Sequence, residues 1–176
     1  MKTPKVISKK VKYFGKWLNI VGVNVLVDGK KHYWEYTDGG DGVSIVPVEG
    51  KNVYLVKEYR VPLGRHIMQI PAGGCYAKNE SGRVRQARNE LREEVGKDAE
   101  KIEKLATVIS SGRSTTLFHV YLATRLFDSP KEADDGENVE VIKMPLRKAY
   151  KMFVNGELTP SYSLLGLGLA MRRLRL

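Results

Sequence analysis

Glu90, Glu93 and Glu94 stand within five consecutive positions of the run Ala87-Arg88-Asn89-Glu90-Leu91-Arg92-Glu93-Glu94-Val95-Gly96. In a helix each residue advances about 100° around the axis. Three carboxylates spaced i, i+3 and i+4 therefore share a face, while Val84, Ala87, Leu91 and Val95 form an apolar stripe turned away from it. Like charges at this spacing repel by about 0.2–0.5 kcal/mol per pair. A hard dication such as Mg²⁺ offsets that cost, since it takes oxygen ligands and bridges one or two carboxylates to substrate phosphates. Taken alone, the helix is more simply read as a solvated acidic face neutralised by Arg88, Arg92 and Lys97.

The flanking residues reverse that preference. The segment from Gly74-Cys75-Tyr76-Ala77-Lys78-Asn79-Glu80 to Asn89-Glu90-Leu91-Arg92-Glu93-Glu94-Val95-Gly96 resembles the Nudix box, whose matching positions here are Gly74, Glu80, Glu90, Leu91, Glu93, Glu94 and Gly96. Three departures stand out: eight residues rather than seven separate Glu80 from the box arginine, that slot holds Asn89, and Lys97 replaces the aliphatic residue after Gly96. In the family the arginine holds and orients a box glutamate. Arg88 and Arg92 are the nearby candidates to substitute for it, though neither occupies the same helical slot.

The likeness extends over nearly all of the chain from about residue 30. Tyr33-Trp34-Glu35, Asp41-Gly42-Val43, Tyr59-Arg60, Gln69-Ile70-Pro71-Ala72-Gly73, Glu137-Asn138-Val139-Glu140-Val141 and Asn155-Gly156-Glu157-Leu158 are similar to the ADP-ribose pyrophosphatase branch of that family. The resemblance implies an Mg²⁺-dependent pyrophosphohydrolase, with Mn²⁺ as the alternative ion, that cleaves a nucleoside diphosphate sugar such as ADP-ribose to a nucleoside monophosphate and a sugar phosphate. It implies metal ligation by Glu90 and Glu94, assisted by Glu93 and the Ala72 carbonyl. Arg60 would contact the diphosphate, Trp34 would stack on the base, and a carboxylate near the attacking water would come from Asp135 or Glu137, beside Glu93. It further implies a homodimer whose N-terminal strands pack across the two-fold. Arg60 could equally be an ordinary strand-end arginine, Trp34 a core residue, and Asp135 and Glu137 parts of a solvated acidic loop.

The loop Ser110-Ser111-Gly112-Arg113-Ser114-Thr115-Thr116 departs from the branch's Ser-Pro-Gly, with Ser111 at the proline and Thr116 where an acid is expected. Its hydroxyls and Arg113 could cradle phosphate. These departures leave open another nucleoside diphosphate derivative or an RNA end as substrate, or a nucleotide-binding protein with weakened catalysis. His32, His66 and His119 lack metal-ligand spacing and read as structural. Cys75 has no evident histidine partner, and Gly166-Leu167-Gly168 follows no strand, so it is no dinucleotide loop.

The elements that must position these residues follow from pattern. Val6–Phe14, Trp17–Val27, His32–Tyr36, Val43–Val48, Val53–Tyr59 and Ile67–Ile70 read as strands, with hairpin turns at Asp28-Gly29 and Glu49-Gly50-Lys51-Asn52. A polar loop from Tyr76 to Gly82 precedes the helix at 83–96, and strands follow at 102–109, 117–124 and 139–144 around an acidic loop at 128–138. Helices at 146–154 and 161–174 close the chain. The expected fold is α+β: a mixed sheet between helices (residues 38–176, the catalytic domain), with an N-terminal antiparallel strand region (residues 1–37) for dimer contact.

The bulk composition fits. With 176 residues, 42% hydrophobic and 28% charged, the chain is long enough for a sizeable core. No apolar run reaches the roughly 20 residues needed to span a bilayer, and the lysine-rich N-terminus lacks a signal-peptide core. With a single cysteine, the expectation is a cytoplasmic protein without membrane association. The net charge of +10 suits an anionic partner; a small nucleotide diphosphate is favoured over nucleic acid.

Overall fold

The computed structural model describes residues 2–132, 139–157 and 160–176. Ten strands and three α-helices follow one another as β1 (Lys5–Phe14), β2 (Leu18–Val27), β3 (Lys30–Gly39), β4 (Asp41–Glu49), β5 (Asn52–Arg60), β6 (Arg65–Gln69), β7 (Ala72–Cys75), α1 (Glu80–Val95), β8 (Lys97–Ile109), β9 (Leu117–Asp128), β10 (Val139–Pro145), α2 (Leu146–Val154) and α3 (Ser161–Leu174). The chain divides into two compact units, Met1–Asp41 with Ile109–Leu117, and Gly42–Val108 with Phe118–Leu176.

In the first unit β1, β2 and β3 form an antiparallel sheet. The β2–β3 turn is Asp28-Gly29, both residues at positive φ (48° and 79°), the backbone a two-residue type I′ hairpin demands and Asp-Gly readily adopts. Val21, Val23 and Val25 are buried, whereas every residue of β1 is exposed. The Ser110–Thr116 loop joins this unit through backbone bonds between Thr37 and Arg113 and between Thr115 and Thr37.

The second unit is built on a sheet ordered β10-β5-β4-β9-β8, with β6 paired to β5 and β7 to β4. Strands β4 and β9 run parallel from Gly42↔Phe118 to Val48↔Thr124; β5 is antiparallel to β10 and β6. Alternation along the central strands sorts the core into two layers. Val43, Ile45, Tyr121 and Ala123 pack with Ala87 and Leu91 of α1 on one face; Val46, Val48 and Leu122 pack with Leu146, Phe153 and Leu167 of α2 and α3 on the other. This is the expected mixed sheet between helices. Gly166 brings α3 close to the sheet, since a Cβ there would lie 3.0–3.2 Å from Ile70, Val46 and Val120.

Helix α1 begins three residues before the expected start. Ser81 and Gly82 are weak helix formers, but Asn79 caps the helix by accepting the Gly82 N–H at 2.9 Å. Gly96 ends it in the left-handed conformation (φ 75°), its N–H returning to the Arg92 carbonyl at 3.2 Å. Leu91 is completely buried, so truncation to alanine would cost about 2–5 kcal/mol. The apolar stripe thus fixes the rotation of α1 about its axis, and with it the direction of the acidic face. The strand β7 is an addition to the sequence reading, and β8 starts five residues earlier than expected.

Candidate active site

Two of the three helix carboxylates are brought to one place. Glu90 and Glu94, one turn apart on α1, are each 6% exposed and face the backbone of β7. A Glu94 carboxylate oxygen accepts the Ala72 N–H at 3.2 Å. The Glu90 carboxylate lies so close over Gly73 that a Cβ there would come within 2.2–2.4 Å of it. Gln86, one turn earlier, donates from Nε2 to Glu90 Oε1 at 2.8 Å. Ala72, Glu90 and Glu94 therefore form one cluster, which Ala72 enters through its amide.

These residues fit a hard divalent ion. Among the described residues no three His, Cys, Asp or Glu side chains converge on a point. Mg²⁺, however, is ordinarily held by only one or two carboxylates, with water and substrate phosphates completing the octahedron. Burying two carboxylates on one helix face is costly unless positive charge offsets it, and Glu90 packs against Gly73 where any Cβ would collide with its carboxylate.

Glu80, Arg88, Arg92 and Glu93 of the helix have separate partners. Glu93 is ion-paired with Lys131, and Arg92 donates to the Ser129 carbonyl at 3.1 Å. The Lys131 and Ser129 amides bond to the Arg92 and Gly96 carbonyls, fastening this segment to the end of α1. Arg88 is engaged by Asp98 and by the Ala99 carbonyl at 2.9 Å. Glu80 accepts from Lys104 at 2.8 Å and from the buried Tyr121 hydroxyl at 2.9 Å. The Lys104 ammonium holds the Glu80 carboxyl below its usual range, Tyr121 and Arg83 adding to the effect against partial burial.

Arg60, at the end of β5, belongs to a partly buried polar chain that the sequence did not reveal. Its guanidinium donates to Gln69 Oε1 at 3.1 Å and pairs with Glu58 at 3.3 Å. The same Gln69 oxygen accepts the Tyr162 hydroxyl at 2.7 Å, and Gln69 Nε2 reaches Glu58 at 3.4 Å. Gln69 is wholly buried, and Tyr162 stacks on Phe118 with ring centroids 4.8 Å apart. Burial pushes the Tyr162 hydroxyl up to about 12, with Arg60 opposing and Glu94 and Glu58 adding to the rise. Tyr162 thus lies near both the arginine and the carboxylate cluster. Gln69, Gln86 and Tyr162 are the site residues that sequence reasoning missed.

In the first unit, Trp34 and Arg113 line a common cavity of about 430 Å³ with Glu35, Tyr36, Gly112, Ser114 and Thr115. Trp34 is half exposed, not core. Asp135 and Glu137 lie outside the described residues. Buried His119 is within 3.1 Å of Thr107, His66 packs edge-on against Tyr59, and Cys75 is a buried free thiol, all consistent with structural roles.

No family model matches the chain. Over 161 residues it is 34% identical to an ADP-ribose pyrophosphatase of Bacillus subtilis (strain 168), a match covering 87% of this chain and 84% of that protein. The chain belongs to the ADP-ribose pyrophosphatase-like Nudix family. An ADP-sugar pyrophosphatase of Mus musculus is 29% identical over 160 residues, covering 80% of this chain and 72% of that protein. A solved structure described as an ADP compounds hydrolase superposes with a TM-score of 0.87 at 18% identity, covering 99% of this chain and 96% of that one, and so shares the fold. Within this Nudix chain, the box departures are confined to the inserted residue, Asn89 and Lys97. The carboxylates themselves are retained, and Glu90 and Glu94 occupy the buried face of α1.

Proposed function

We propose that this Nudix protein is a metal-dependent pyrophosphohydrolase acting on ADP-ribose or a related nucleoside diphosphate sugar, giving a nucleoside monophosphate and a sugar phosphate. The observation that carries the reading is the pair of buried carboxylates, Glu90 and Glu94, closed against the β7 backbone. The names of the pyrophosphatase relatives support the substrate class.

Glu90 and Glu94 would hold the ion, Mg²⁺ in preference to Mn²⁺, with Glu93 and the Ala72 carbonyl assisting. A divalent ion bound there supplies charge neutralisation of the diphosphate and acidifies water at the site. Arg60, its fork oriented by Gln69 and Glu58, neutralises diphosphate oxygens as they gain charge. In the proposed homodimer Trp34 would offer a ring face to the base at the neighbouring subunit's site, and Arg113, which lines the same first-unit cavity as Trp34, would offer a cation to the substrate. One carboxylate, Glu93, Asp135 or Glu137, would receive the proton of the attacking water. The exposed apolar residues Val6, Ile7, Val11, Phe14 and Trp17 of the first unit support a homodimer formed through that sheet. No helix among the described residues is long and apolar enough to cross a membrane, and the cytoplasm is the proposed compartment.

Asn89 in the arginine slot favours a second reading, a nucleotide-binding protein with weak catalysis. One experiment separates the two. Purified protein is incubated with Mg²⁺ and a panel of ADP-ribose, other nucleotide sugars, dinucleoside polyphosphates and capped RNA, and products are identified by phosphorus NMR. AMP and ribose phosphate from ADP-ribose are expected; binding without turnover of any compound would overturn the hydrolase reading.

A further inference from the structure

Glu90 is buried and its carboxylate sits directly over Gly73. Its Oε1 accepts a hydrogen bond from the neutral amide of Gln86 at 2.8 Å, one helical turn away. A neutral donor fixes the rotamer of a carboxylate without itself offsetting the charge, whereas a guanidinium or ammonium in the same place would. On the same helix, Arg88 is engaged by Asp98 and the Ala99 carbonyl, and Arg92 by the Ser129 carbonyl. Asn89, on the turn between them, has a side chain too short to reach one helical turn along. We propose that Gln86 is the positioning residue for Glu90: it sets the carboxylate over Gly73 in the geometry that a divalent ion requires.

The inference rests on the metal reading given under Proposed function. Gln86 acts through Glu90 and touches neither ion nor substrate. Groups that orient a ligand typically contribute about 10–100-fold to metal affinity; a single neutral donor on a partly exposed turn belongs at the lower end.

The test uses Mn²⁺ alone as the probe, titrated into the full-length protein without substrate and followed by the loss of the free-ion EPR signal. Gln86→Met keeps the length and helix propensity of the side chain but removes the donor, and should weaken Mn²⁺ binding about tenfold. Gln86→Lys restores a donor but adds a positive charge, and should also bind more weakly than wild type. In both variants the metal-free thermal unfolding midpoint should match wild type, which separates positioning from a structural role. Affinity of Gln86→Met within twofold of wild type, or of Gln86→Lys at or above wild type, would overturn the proposal. A loss of affinity matched by a lowered metal-free midpoint would overturn it too. If wild-type protein takes up no Mn²⁺ at millimolar concentration, the underlying metal reading fails and the proposal falls with it, an outcome distinct from weakened binding in the variants alone.

Discussion

Replacing Gly73 with alanine places one methyl group against the centre of the site. Gly73 does not occupy the left-handed region, so its backbone accepts alanine, and the unfolded chain loses freedom worth about 0.4–1 kcal/mol in favour of folding. The difficulty is local. The new Cβ would sit 2.2 Å from one Glu90 oxygen and 2.3–2.4 Å from the other two carboxyl atoms, whereas unstrained heavy-atom contacts lie near about 3.5–4.0 Å. Glu90 must therefore retreat by roughly 1 Å or more, breaking the 2.8 Å bond from Gln86. The protein folds, because the end of one side chain can move, but the ion and the diphosphate are misplaced. A 1 Å error in a catalytic arrangement costs about 100-fold, or about 2.7 kcal/mol of transition-state stabilisation. The assay is steady-state ADP-ribose hydrolysis at saturating Mg²⁺, beside a thermal melt. A Gly73→Ala protein that melts as wild type and hydrolyses within threefold of its rate would refute the placement of Glu90 at the reacting centre.

Glu94→Gln removes a ligand charge without changing size and should abolish most Mg²⁺-dependent hydrolysis while circular dichroism stays native; wild-type turnover would exclude this helix face. Tyr162→Phe keeps the stack on Phe118 but deletes the hydroxyl bonded to Gln69, and should lower stability by about 0.5–1.5 kcal/mol in urea denaturation and raise KM severalfold as Arg60 loosens. The Glu80 carboxyl is held low, chiefly by Lys104, so its stabilising effect is present above the ordinary value of 4.5 and is lost as pH falls through the lower folded value. Glu80→Gln should accordingly flatten the stability curve in that acid window, by less than about 1 kcal/mol for so exposed a pair, when melts are compared from pH 6 downward. The full-length protein should scatter light as a homodimer, and Trp34→Ala should raise KM for a nucleotide sugar more than it lowers kcat, since stacking holds ground and transition states alike; a monomer with unchanged KM would remove both roles.

Much of the scaffold was legible from local pattern. The turns Asp28-Gly29 and Glu49-Gly50, the β-branched and aromatic residues of β4 and β5, and the stripe through Ala87 and Leu91 are local signals, and the stripe sets the direction in which Glu90 and Glu94 face. Strand β7 was not legible, because Ala72-Gly73-Gly74 has little β propensity and is held extended by pairing with β4. The polar start of β8 hid it in the same way, and the cap at Asn79 outweighed the weak propensities of Ser81 and Gly82. Tyr162 meets Gln69 from 93 positions along the chain, a contact with no spacing to betray it. Gln86 did lie at helical spacing from Glu90, but a glutamine on a polar face looks like any solvated residue until its partner is seen to be buried.

The parallel pairing of β4 with β9 also governs when this site comes into being. The two strands flank, in the sequence, the whole segment that carries Ala72, Glu90 and Glu94. A parallel pair gains nothing until the intervening loop has closed, and closing so long a loop is the slow part of folding. The layer that seats α1 draws Tyr121 and Ala123 from β9, so the helix has an incomplete seat until that closure. A chain lacking β9 is expected to leave these carboxylates solvated and without fixed geometry. The buried placement of Glu90 and Glu94 is therefore expected late, together with the joining of the central strands, rather than growing as the helix forms.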